Sequence, residues 1–300
     1  MKRFIQQLII AVSFIALTIW ALTPAAVHSG GDQASEKVAG DHGKSIATEH
    51  GEVTDKAHKQ MPKEDPFAGK PSPDAAIAML KAGNALFAAE EATHPHMDAE
   101  RLILAGKENQ GDHAYATVIT CSDSRVPVEA IFDAGVMNIF VVRVAGNVCD
   151  VDEAGSIEYG LAHVNTPVLV VLGHTQCGAV TAVTHAVHGK GHALERNIPP
   201  LVDNIVPAVK RAMRAFPEIK GDAIIPYAIE ENVWQSIEDL FMVSPSTRNL
   251  VKSGKVKVVG AIYNVATGMT EWLPESKSFE ILEKVMANGD RAMNAMAETH

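Results

Sequence analysis

Apolar residues fall along this chain in short solid runs, separated by longer stretches in which they recur every three or four positions. The solid runs are residues 115–120, 138–142, 167–172 and 256–263. Runs of that length, rich in β-branched residues, fit strands covered on both faces, as in a parallel sheet. The periodic stretches predict helices over residues 75–87, 154–164, 179–187, 201–216 and 223–242. Ser72-Pro73 opens the first of these, the hydroxyl capping and the ring fixing the first turn, and Gly83-Asn84 weaken it. Ser244-Pro245 opens one more helix, which Gly254 ends. Strand and helix alternate, which predicts an α/β domain with right-handed crossovers over residues 72–274. Residues 275–300 read as a helical extension at its periphery.

The N-terminal pattern is different. Lys2 and Arg3 precede an apolar run, residues 9–22, whose only hydroxyls are Ser13 and Thr18. The small residues that follow suit cleavage after Ala25 or Ser29, so residues 1–29 read as a signal peptide and the protein as exported and periplasmic. The alternative is an uncleaved anchor over residues 4–22, which is long enough to span, and membrane association is expected only in that case. Residues 30–71 have no apolar period and read as a disordered polar linker. Its His42, His50 and His58 fit a solvated tail.

Composition narrows the partners. At 47% apolar residues the chain can bury a sizeable core, and its net charge of −10 argues against a nucleic-acid partner or an anionic membrane surface. The three cysteines, Cys121, Cys149 and Cys177, are too few for a disulfide framework.

Candidate chemistry gathers on two loops, each directly after a predicted strand: Cys121-Ser122-Asp123-Ser124-Arg125 and Gly173-His174-Thr175-Gln176-Cys177-Gly178. Ligands of an open parallel sheet bind beyond the carboxyl ends of its strands. Neighbouring loops there would bring Cys121, His174 and Cys177 together, a donor set that suits one Zn2+ per chain and leaves a fourth position for water or for Asp123. Arg125 is placed to grip Asp123 and keep it ionised, as an acceptor for a proton at the metal. A Cys121–Cys177 disulfide is the rival use of the two thiols. Cys149 has no partner motif and reads as a packed thiol.

The stretches Cys121-Ser-Asp-Ser-Arg-Val-Pro127, Phe140-Val-Val-Arg-Val-Ala-Gly-Asn147, Gly155-Ser-Ile-Glu-Tyr159 and Gly173-His-Thr-Gln-Cys-Gly-Ala-Val180 together resemble the β-class carbonic anhydrases. The resemblance runs from about residue 73 to about residue 273. It implies a mostly parallel sheet with helices on both faces and an antiparallel edge strand, and a homodimer or higher homo-oligomer. It implies zinc on Cys121, His174 and Cys177, with Asp123 and Arg125 as catalytic dyad. The reaction it implies is reversible hydration of carbon dioxide to bicarbonate and a proton by zinc-bound hydroxide. Many members carry a substrate-cleft Gln about nine residues before the first Cys. Asp112 stands there in this chain, and Gln110 is the nearest candidate. No counterpart of the Trp–Arg–Tyr bicarbonate set of some bacterial members is found. Two other readings compete: a carbonyl sulfide or carbon disulfide hydrolase on the same scaffold, and a non-catalytic periplasmic zinc-binding protein.

Overall fold

The computed structural model describes residues 65–288, so the expected signal peptide, the linker up to residue 64 and the last twelve residues lie outside the described residues. The chain order is α1 (Pro73–Ala88), α2 (Ala99–Ala105), β1 (Ala116–Thr120), α3 (Val128–Ile131), β2 (Ile139–Arg143), α4 (Val151–Ala162), β3 (Val168–His174), α5 (Gly178–Val187), α6 (Ile198–Val202), α7 (Val206–Ala215), α8 (Ile225–Val243), α9 (Pro245–Lys252), β4 (Lys257–Tyr263), β5 (Thr270–Trp272) and α10 (Glu275–Ala287). The strands form one sheet in the order β2-β1-β3-β4-β5, parallel throughout except for β5. Among the described residues no helix is long and apolar enough to cross a membrane.

The solid apolar runs are solid because both faces of the sheet are covered. Alternate residues of a strand point to opposite faces. In β3, Leu169 and Val171 join a core with Ile157 and Leu161 of α4, Ile237 and Phe241 of α8, and Leu282 and Val285 of α10. Val168, Val170 and Leu172 join a second core with Ala76 and Leu80 of α1 and Ile131 of α3. A third cluster, from α5, α7 and α8, closes the carboxyl end of the strands around Cys121 and Cys177.

The structure departs from the sequence reading in instructive places. Gly83 and Asn84 do not weaken α1; they dock it. A Cβ at Gly83 would lie 1.9 Å from the Phe132 carbonyl oxygen, so only glycine permits this approach. Buried Asn84 donates to the carbonyls of Ile131 and Gly268 and accepts from the Thr270 amide, tying the helix to the start of β5. The single helix expected over residues 201–216 is two helices, because Pro207 cannot donate an N–H and α7 starts afresh around it. Residues 65–71, assigned to the linker on composition, pack on the domain: Phe67 lies against the core, and the Lys70 ammonium donates to the carbonyls of Gly111 and Ala114. Gly83→Ala is expected to destabilise the fold by about 1–3 kcal/mol, the range for overpacking a close contact. A urea midpoint unchanged from wild type would show that the loop after α3 yields freely.

Candidate metal centre

The chain leaves β1 toward β2 on one side and returns to β3 on the other. The carboxyl ends of β1 and β3 therefore flank a topological switch point, where an open α/β sheet forms its ligand crevice. The parallel register pairs Thr120 with Leu172, so Cys121 emerges beside Gly173 and His174. Gly173 also matters for packing. A Cβ there would meet Val233 of α8 at 2.7 Å, so its absence lets that helix sit close above the loop.

Cys121, His174 and Cys177 are all buried, and their ligating atoms lie within 4.8 Å of one another. His174 Nδ1 lies 2.9 Å from the Thr175 carbonyl oxygen, which fixes the proton on Nδ1 and leaves the Nε2 lone pair free. Nε2 is a buried polar atom with no hydrogen-bond partner, an arrangement that costs free energy unless something else binds it. Cys177 stands at the N-cap of α5, where the helix's first backbone amides favour a thiolate. The neighbouring Cys177 thiol is the main cause that favours the Cys121 thiolate, and the Gly146 amide adds a hydrogen bond at 3.3 Å. Contact with Cys121, together with burial, pushes the Cys177 thiol up in turn. Both cysteines are free thiols, and the disulfide reading does not hold.

Asp123 and Arg125 form the pair expected of them. Arg125 grips the carboxylate with Nε on Oδ1 at 2.9 Å and Nη2 on Oδ2 at 2.7 Å, and its own amide donates to Oδ1. This holds the Asp123 carboxyl well below the usual carboxylate range, Arg125 being the first cause. Asp123 Oδ2 stands 4.0 Å from the free Nε2 of His174, so the carboxylate looks onto the ligand cluster.

Two residues in the site escaped the sequence reading. Arg143, at the end of β2, donates to the carbonyls of Cys121 at 3.2 Å and of Asp123 at 2.6 Å, clamping the first loop from the next strand. Gln176, with a left-handed φ of 58°, turns its carbonyl and its side-chain oxygen toward Arg125, which donates to both and so ties the two loops together. Arg143 and Gln176 both lie within the stretches that carry the family resemblance, which gave neither a role; strand-end position was a further signal for Arg143. Within one chain Gln110 stands apart from this cluster. It begins a short 3-10 turn before β1, and five strand residues at about 3.3 Å each put roughly 16 Å between that end and Cys121. Cys149 is buried in the core among Val142, Ala154 and Ile157, and burial raises its thiol pKa.

The donor chemistry fits zinc. Two sulfurs and one imidazole nitrogen, at Zn–S of about 2.3 Å and Zn–N of about 2.0–2.1 Å, stand roughly 3.5–3.8 Å apart around a tetrahedral ion. The cluster lies within the range from which small side-chain adjustments reach that spacing, and zinc would satisfy the orphaned Nε2.

A family model described as carbonic anhydrase matches residues 116–270. The chain is 34% identical over 200 residues to the carbonic anhydrase of Mycolicibacterium smegmatis, covering 67% of this chain and 93% of that one. It is 33% identical over 198 residues to carbonic anhydrase 2 of Mycobacterium tuberculosis, covering 66% and 91%. Among solved structures, the β-carbonic anhydrase CafA of Aspergillus fumigatus aligns with a TM-score of 0.54 at 24% identity, over 72% of this chain and 97% of that chain. The β-carbonic anhydrase CcaA aligns with a TM-score of 0.52 at 22% identity, over 59% and 87%. These two likenesses carry the fold: a mostly parallel five-stranded sheet between helices.

Proposed function

This chain belongs to the β-class carbonic anhydrase family, and from that premise we propose that it hydrates carbon dioxide reversibly to bicarbonate and a proton at zinc held by Cys121, His174 and Cys177. The observation that carries the reading is the buried cluster itself, with the free His174 Nε2 facing an ionised Asp123. Zinc bound there supplies the Lewis acidity that makes hydroxide available from water near neutral pH.

The chain's own residues do the rest. Thr175 sets the imidazole tautomer through its carbonyl. Arg125 keeps Asp123 ionised and fixed, so that at neutral pH it accepts a hydrogen bond and does not donate one. Arg143 and Gln176 hold the loops that carry the ligands. Val148, Val180 and Ile205 pack with Cys121 and Cys177, giving the site the apolar surroundings that a small, neutral, apolar substrate needs. The acidic chain does not repel such a substrate.

Stopped-flow hydration of carbon dioxide by the zinc-loaded protein is the test, run beside carbonyl sulfide and carbon disulfide. Turnover on carbon dioxide is expected to exceed both; preference for either sulfur compound would move the assignment to a hydrolase on the same scaffold. The Asp123–Arg125 pair favours an enzyme over a zinc-storage protein, because storage needs no fixed acceptor beside the metal.

Export and assembly belong to the same proposal. The basic start, apolar run and small-residue exit of residues 1–29 support a periplasmic enzyme whose signal is removed. The outer edge of β2 and the exposed Leu102 and Ile103 of α2 support assembly of two or more copies. Protein purified from its native host is expected to start after Ala25 or Ser29, outside the cytosol, and to sediment as a dimer or larger. A cytosolic chain starting at Met1 would refute export; a monomer would refute assembly.

A further inference from the structure

Helix α8 lies behind the metal centre, and Asn232 and Ser236 on it reach the short turn Ala145–Asn147. Asn232 Nδ2 donates to the Gly146 carbonyl at 2.7 Å, and Ser236 Oγ donates to the Asn147 carbonyl at 2.7 Å. Gly146 in turn directs its amide at Cys121 Sγ, 3.3 Å away. Its φ of +76° is the left-handed conformation that favours glycine, and a Cβ there would meet Ile205 Cδ1 at 2.7 Å and Ala179 Cβ at 3.1 Å. Glycine adopts that conformation without strain, so what fixes the direction of its peptide is the hydrogen bonds it makes. The holder is identifiable: Asn232 is 1% exposed, and its Oδ1 has no hydrogen-bond partner. Packing alone would be better served by an apolar side chain of the same volume, because a buried amide with one atom unpaired costs stability. The donor end of the amide is therefore what this position uses.

We propose that Asn232 is a positioning residue for the metal centre: it fixes the Gly146 peptide so that its N–H holds Cys121 Sγ, and so tunes how strongly that thiolate donates to the zinc. The inference rests on the reading of Cys121 as a zinc ligand. An N–H bond to a thiolate lowers the energy of the sulfur lone pairs, and partners of this kind around a metal site fix ligand orientation and electronic character. The position of α8 suits this role. Val233, next to Asn232, packs against Gly173 and Gly260, where a Cβ would lie 2.7 Å and 2.9 Å from its methyls, so the helix sits at a set height over the sheet.

The test is cobalt(II) substitution of the full chain, in wild type, Asn232→Asp and Asn232→Leu. The first variant keeps the shape and lacks the donor only where its carboxyl is ionised, and the second fills the volume without any polar group, so the second decides where the two differ. In both, the thiolate-to-cobalt charge-transfer band is expected to move to longer wavelength and metal affinity to fall by about 10–100-fold. A band at the wild-type position in both variants would reduce Asn232 to packing and overturn the inference. A wild-type cobalt protein without a thiolate band would overturn it together with the ligand assignment. A shifted band in variants of a protein that does not hydrate carbon dioxide would sustain the inference while refuting the activity. A second measurement needs no variant: wild type loaded with an NMR-active cadmium isotope is expected to show scalar coupling between the metal and the Gly146 amide proton. Absence of that coupling would also overturn the inference.

Discussion

Cys177→Ala is expected to remove zinc and carbon dioxide hydration together, and Cys121→Ala and His174→Ala to do the same. Each residue supplies one donor atom to a cluster in which only three Cys or His donors meet among the described residues, so none is redundant. A tetrahedral catalytic zinc already leaves one position to water. With two protein donors, half of the coordination shell would be solvent, and a chelator would compete on nearly equal terms. Outer partners of metal ligands cost about 10–100-fold in affinity when removed, and loss of a ligand itself is expected to exceed that range. The fold should outlast the loss. Cys177 caps α5 with no side-chain hydrogen bond to a cap amide, and alanine there retains the backbone that starts the helix. Zinc per chain by elemental analysis, stopped-flow hydration and thermal unfolding, measured on the same preparations, separate the outcomes. Stoichiometric zinc in all three single variants would dispose of the assignment. Loss of activity with zinc retained would point to a damaged site around an intact metal.

The main strands and the meeting of Cys121, His174 and Cys177 were legible in the sequence because they follow from local rules. A strand covered on both faces is nearly continuous in apolar residues, and β1 and β3 are buried along their whole length, the hydroxyls of Thr117 and Thr120 being satisfied by Thr166 and the Leu172 carbonyl. Ligands just past such strands have one place to go, the carboxyl edge of the sheet. Other features were hidden because tertiary contacts decide them. Gly83 reads as a defect in a helix until the Phe132 carbonyl is seen beneath it. Strand β5 has only three residues and is placed by its pairing with β4, so only the family resemblance suggested an antiparallel edge. The role of Gln176 depends on a left-handed backbone that no motif announced. Gln110 lies at the opposite end of β1 from Cys121, because a count of residues back from Cys121 runs down that strand.

Arg125→Ala is expected to abolish hydration by releasing Asp123 onto the metal, and Asp123→Ala to lower it by about 10²–10⁴-fold for a different reason, the loss of a positioned hydrogen-bond acceptor, by analogy with other positioned acid–base groups. The wild-type geometry sets up the contrast. Arg125 holds both carboxylate oxygens and donates its own amide as well, yet Oδ2 is already 4.0 Å from Nε2 of His174. Carboxylate oxygen is an ordinary zinc donor. Once the guanidinium is gone, only the loop amide remains to keep the carboxylate away. The ionisation of Asp123 runs in the same direction. Its pKa lies below the ordinary value chiefly because of Arg125, so the stabilisation of the pair is present above the unfolded carboxyl pKa and is lost only as pH falls through the lower folded value. A fall of activity on mild acidification therefore finds Asp123 still charged, and it reflects hydroxide becoming scarcer as a competitor for the fourth position. In Arg125→Ala the pKa returns toward the ordinary carboxylate range, which still leaves an anion at neutral pH, now free to bind. Asp123→Asn in the Arg125→Ala background removes the competing anion and is expected to recover part of the activity. Crystal structures of the zinc-loaded wild type and of Arg125→Ala, each at acid and alkaline pH, decide the matter. Water in the fourth position of both proteins at every pH would make Asp123 a fixed acceptor and nothing more.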